Sequence, residues 1–163
     1  MAPEERTEIV QHLERSREEF LAAVAGLGEA QASVRPDPVR WSVLECVEHV
    51  TFVEERFLGR LQNALKADAP HVDKEKEANL LVRVADRSTR FQAPEAARPA
   101  GRFTSLAQAI EQFNLGRTRS IQFAEQRWDD LYDLASEHPR FGTVNSVEFL
   151  IIIAAHARRH AGG

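Results

Sequence analysis

"DAPHVDKEKEANLLVRVADRSTRFQAPEAARPAGRF", residues 68–103, separates two amphipathic segments and is too long for a structureless link inside a compact domain. A connection of about 36 residues can run the length of a helix bundle and leave the helices on either side parallel. Within it, "DKEKEANLLVRVADR" (73–87) predicts a short helix of its own, and the Ala/Pro/Arg-biased "APEAARPAGR" (93–102) predicts irregular chain.

Upstream of this crossover, Pro3 suits a first helical position and Glu4 and Glu5 suit the positive end of a helix dipole. Ile9, Leu13, Phe20, Val24 and Leu27 follow at helical spacing until Gly26 and Gly28 stop this first helix. Two prolines in "SVRPDPVRW" forbid continuation. Ser42 followed by Glu45 then predicts a capping box, with Trp41 and Cys46 at the hydrophobic-staple positions. Helix two is expected from about Ser42 to about residue 67, on Val43, Val47, Val50, Val53, Phe57, Leu61 and Leu65.

Downstream, Ser105 and Gln108 open a third helix carrying Leu106, Ile110, Phe113, Ile121, Ala124, Trp128 and Leu131, expected to end before Pro139. Asn145 and Glu148 open a fourth, apolar nearly all round through Ala155 and so placed deep in the fold. The short link "EHPRFGT" (137–143) makes helices three and four antiparallel. The pattern predicts an all-α four-helix bundle ordered up, down, down, up, with one long crossover between helices two and three. Residues 1–163 form one domain without internal repeats.

The charge balance of −4, without a long Lys/Arg run, gives no electrostatic basis for nucleic-acid binding or for binding an anionic membrane. The longest apolar run, "FLIIIAA" (149–155), is far below the roughly 20 residues of a membrane helix. Cys46 is the only cysteine and "MAPEERTEIV" lacks the apolar core of a secretory signal, so a soluble protein of a reducing cytoplasm is expected.

The chemistry-bearing residues are histidines. His156 and His160 stand four apart on the stripe that carries Phe149, Ile152 and Ile153. Two neighbouring imidazoles on a burying face are well satisfied by one divalent metal, and His49 on helix two offers a third ligand. The alternative is a solvated basic helix end, "ARRH" before two glycines, with His49 a satisfied core histidine. Cys46 fits a fourth ligand or a metal-activated thiol as well as a staple residue. Glu45 and Glu48 are candidates for orienting His49 or for a general base, although capping alone accounts for Glu45. His12, His71 and His138 fit structural or solvated roles.

"WSVLECVEHVTFVEERFLGRL" (41–61), "GRFTSLAQAIEQF" (101–113) and "FGTVNSVEFLIIIAAHARRH" (141–160), in that order, resemble the DinB/YfiT-like superfamily. The resemblance implies a bacterial protein with the bundle order given above and a divalent metal, Zn or Ni, held by His49, His156 and His160. It also implies a metal-dependent enzyme acting on a small-molecule substrate, with hydrolysis the first expectation. Alternatives are an S-transferase or isomerase using a low-molecular-weight thiol cofactor, and a non-catalytic stress-response module. A homodimer is compatible with it. Neither the motifs nor the resemblance names a catalytic residue.

Overall fold

The computed structural model describes residues 1–68, 72–86 and 97–161. His71, Gly162, Gly163 and the first four residues of "APEAARPAGR" lie outside the described residues.

Helix α1, Pro3–Val24, buries Ile9, Leu13, Ser16, Phe20 and Val24 on one stripe and gives way at Ala25 and at Gly26, whose φ is 77°. One-turn α2, Glu29–Ala32, matters for what its first residue does. The Glu29 carboxylate accepts from the Leu106 and Ala107 amides at 2.6 and 3.1 Å, among the donors that a helix start leaves without an intrahelical partner. Helix α3, Val43–Gln62, begins with the expected reciprocal capping box of Ser42 and Glu45. Strand β1, Leu65–Lys66, follows. The crossover carries α4, Lys74–Ala85, capped by Asp73. Helix α5, Leu106–Gln126, is capped by Ser105, and strands β2, Leu134–His138, and β3, Gly142–Asn145, lead into α6, Ser146–Ala161. At that last junction Asn145 and Glu148 cap each other at 2.9 and 2.8 Å, as their spacing predicts.

The expectation of an all-α chain needs correcting. A small antiparallel sheet in the order β1–β2–β3 closes one end of the molecule. Helix two ends at Gln62 rather than near residue 67, because the backbone of Leu65 and Lys66 pairs with Ala135 and Leu134. Leu65, which extends the helical spacing in sequence, is 76% exposed. Helix three ends at Gln126, and Leu131 reaches the core from the turn that follows. The short link to the fourth helix is a hairpin turn, closed by Gly142 at φ 72°, a conformation glycine adopts without steric cost.

Helix α1 packs on α6 and α5, α3 on α5 and α6, and α4 on α6. The apolar core has two parts. Leu13, Leu58, Leu61, Ile121 and Phe149 belong to one, and Phe20, Val47, Val50, Phe113 and Ala157 to the other. Ser16, Glu54, Arg117 and Ser120 fall between these sets on three helices and form a buried polar layer. Arg117, with no exposed surface, forks onto Glu54 at 2.8–3.2 Å and also donates to Ser16 Oγ and the Leu13 carbonyl. Ser120 donates to Glu54 as well.

Candidate metal centre

His49 sits in the second turn of α3 and His156 and His160 in the last turns of α6, so two helix faces supply three rings. Phe57 of α3 also stacks edge-on against Phe149 of α6, with centroids 5.0 Å apart. His49 stands eight residues before Phe57 and His156 seven after Phe149, each about two helical turns away on its own helix, which brings the imidazoles to a shared level. Nε2 of His156 lies 3.2 Å from Nε2 of His49 and 3.2 Å from Nε2 of His160. One nitrogen from each ring falls in a group no wider than 4.8 Å.

Proton counting decides what such a cluster can hold. His49 Nδ1 is 2.7 Å from the Ala97 carbonyl oxygen, which only accepts, so Nδ1 carries the hydrogen and in the neutral ring Nε2 presents a lone pair. The His156 Nε2 position has two ring nitrogens to satisfy. Its own N–H can serve only one of them well, and if it accepts from His160 instead, it meets the His49 lone pair with one of its own. One Nε2 contact stays unsatisfied in every fully neutral arrangement, and a cation among the three nitrogens satisfies all of them.

Protonation is a poor substitute for that cation. Burial holds the His156 imidazole well below its ordinary pKa, and the neighbouring rings of His160 and His49 push it the same way. Burial also lowers His49, against the opposing effect of its bond to Ala97. Trp41, placed in sequence as a staple residue, lies with its ring centroid 4.9 Å from that of His49 and walls the site on that side.

The two candidate carboxylates are employed elsewhere. Glu45 caps α3 and pairs with Arg35 at 2.6 and 2.8 Å, and that ion pair above all holds its carboxyl down to about 2. Glu48, 2% exposed, accepts from the Ala100 amide, the Arg102 amide and the Arg102 guanidinium, at 2.6, 3.0 and 2.6 Å. Neither hydrogen-bonds to the His49 ring. The Ala97 carbonyl does, at 2.7 Å from Nδ1, a backbone group that no side-chain pattern announces. Cys46 is half-buried and is not in the three-nitrogen group. His138 is a structural residue: its Nδ1 accepts from the Arg140 and Phe141 amides and fastens the hairpin turn. His12 is beside Glu8 on α1.

The DinB superfamily model matches residues 12–162. The chain belongs to the DinB superfamily. Two solved structures share its fold. TT2238, a four-helix bundle protein, superposes with a TM-score of 0.63 at 21% identity, over 96% of this chain and 95% of that one. YfiT from Bacillus subtilis, described as a probable metal-dependent hydrolase with an unusual four-helix bundle topology, superposes with a TM-score of 0.62 at 14% identity, over 99% and 85%. No curated protein matches the chain. This DinB-superfamily member is thus mostly helical, has four-helix-bundle relatives and carries an additional three-stranded sheet. Among the described residues no helix is long and apolar enough to cross a membrane.

Proposed function

We propose that His49, His156 and His160 hold one divalent ion, Zn or Ni, through their Nε2 atoms, and that the protein is a metal-dependent enzyme acting on a small molecule. The observation that carries this is the convergence of three Nε2 atoms around His156, with His49 fixed in the tautomer that offers its lone pair. Three protein ligands leave coordination positions open, which distinguishes a reactive from a structural site. When bound, such an ion acts as a Lewis acid that lowers the pKa of a water or thiol.

Hydrolysis has support from the description of the YfiT neighbour. Thiol transfer is favoured by a different observation: Glu45 and Glu48, the carboxylates nearest His49 in sequence, are occupied by other partners, and a thiol that binds as thiolate needs no separate general base. The up, down, down, up order belongs to the same proposal and has support in side-chain pairs. Glu48 pairs with Arg102, just before α5, and Glu54 with Arg117 within it, so the chain advances in the same direction along α3 and into α5. Phe57 with Phe149 and His49 with His156 run oppositely along α3 and α6. Packing of the first helix on the last supports a single domain over residues 1–163.

Element analysis of protein purified without added metal tests the centre, with one Zn or Ni per chain as the expected result. Loading the protein with Co²⁺ and adding a small thiol then separates the chemistries. A sulfur-to-cobalt charge-transfer band supports thiol transfer. Its absence, with turnover of ester or amide substrates, supports hydrolysis.

A further inference from the structure

The last described stretch of the crossover, residues 97–102, is held to α3 by two neighbouring side chains that face it differently. Glu48 takes the amides of Ala100 and Arg102 and the Arg102 guanidinium, while His49 gives its Nδ1 hydrogen to the carbonyl of Ala97. Gly101 lies between the two bonded amides with φ 70°, a left-handed turn that aims both N–H groups at one carboxylate. Arg102 is itself ordered, since its guanidinium lies 4.0 Å over the Phe52 ring and also reaches the Arg98 carbonyl at 3.2 Å. With Glu48 only 2% exposed, the carboxylate is shielded from solvent and has three donors. Removing it takes away the acceptor shared by the Ala100 amide, the Arg102 amide and the Arg102 guanidinium.

We infer that Glu48 is a positioning residue for the metal centre: it clamps residues 97–102 so that the Ala97 carbonyl fixes His49 as the Nδ1–H tautomer, with the Nε2 lone pair aimed at His156. The role rests on the metal site proposed above. A carbonyl partner on the distal nitrogen fixes ring orientation and raises ligand basicity, and loss of such partners typically lowers metal affinity 10–100-fold. Here the partner is a backbone atom, which mutation cannot remove, so its position is controlled through Glu48.

Three measurements on the full chain test this: competition titration with Zn²⁺ alone, ¹⁵N chemical shifts of the His49 ring in metal-free protein, and melting by circular dichroism. In the parent, His49 should show a protonated Nδ1 and an unprotonated Nε2. In Glu48→Ala the two tautomers should mix and Zn²⁺ affinity should fall at least tenfold. Glu48→Gln keeps the shape but turns one acceptor into a donor, and should fall between the two. Glu48→Gln decides the matter with the same readouts if Glu48→Ala does not fold. A variant that melts earlier yet keeps the parent's tautomer and affinity would overturn the positioning role and leave Glu48 as a structural clamp. If the parent takes up no Zn²⁺, the proposed metal site fails, while the tautomer comparison still decides whether Glu48 orients His49.

Discussion

The Nε2 atoms of His49 and His156 stand 3.2 Å apart although the two residues are 107 apart in sequence, and the first of them carries no hydrogen. His156 lies equally near the Nε2 of His160 and can give its own Nε2 hydrogen to only one of the two, so the three nitrogens together are satisfied by an added proton or by a metal. Burial makes the proton the weaker choice. His156→Ala should therefore abolish Zn²⁺ or Ni²⁺ uptake, because it removes the nitrogen that lies 3.2 Å from the Nε2 of each of the other two rings. The metal-induced rise in melting temperature should vanish with it, as expected when a ligand binds only the folded state. Equal uptake by parent and variant, measured by element analysis, would show that the triad is not the centre.

Metal affinity should be flat from pH 8 to near neutrality and fall on further acidification. The sign follows from the shifts. His49 and His156 are both lowered, so neither has a proton to displace near pH 7, and competition from protons begins only below their ordinary range near 6.5. A Zn²⁺ titration series should show this plateau. A steep loss of affinity between pH 8 and 7 would mean that groups of higher pKa are the ligands.

His138 makes a separate, metal-independent prediction. Burial among Phe57, Phe141 and Phe149, aided by Arg60 and Arg140, lowers its pKa to about 4. The unfolded chain binds this proton near 6.5 and the folded chain only near 4. Stability contributed by the neutral ring is thus complete above 6.5 and is lost as pH falls toward 4, by about 3 kcal/mol at most. The metal-free parent should melt progressively lower across that window. His138→Asn, which keeps an acceptor for the two turn amides, should melt with a shallower pH dependence. Identical slopes for the two proteins would assign the loss to other groups.

What the sequence made legible was local. Ser42 with Glu45 and Asn145 with Glu148 lie three residues apart, so the caps that start α3 and α6 need no tertiary information. The histidine pair is equally local at four residues, and the family motif ties it to His49. What stayed hidden depends on distant partners. Strands β1 to β3 are short, and β2 is largely polar, so they take their order from pairing rather than from periodicity. The Ala97 carbonyl is a backbone atom 48 residues from the ring it serves. Arg117 and Glu54 look in sequence like solvated helix positions, and only packing reveals them as a buried pair.

Gly101→Ala should lower stability by about 1 kcal/mol or somewhat more. Space is not the cause, since a Cβ there would meet no atom within 4 Å. The cost is the left-handed φ of 70°, which a side chain adopts unfavourably. Urea unfolding of the two proteins measures it, and an unchanged midpoint would mean that this turn is not rigidly held.

The Arg117–Glu54 pair gives the largest expected effect. Arg117 has no exposed surface and five of its hydrogen bonds end on Glu54, Ser16 and the Leu13 carbonyl, so its desolvation is offset only while every partner is present. Arg117→Ala leaves the Glu54 carboxylate buried without its counterion and should cost about 3 to 5 kcal/mol. Glu54→Leu should be comparably damaging because it strands the guanidinium. The double variant Glu54→Leu/Arg117→Met replaces both charges with apolar groups of similar size, and should recover much of the loss, because a well-packed apolar pair is often as stable as a buried ion pair. A double-mutant cycle in urea separates these contributions. Loss in the double variant equal to the sum of the two singles would show that the residues act independently, and the polar layer would then be two separate sites rather than one coupled network.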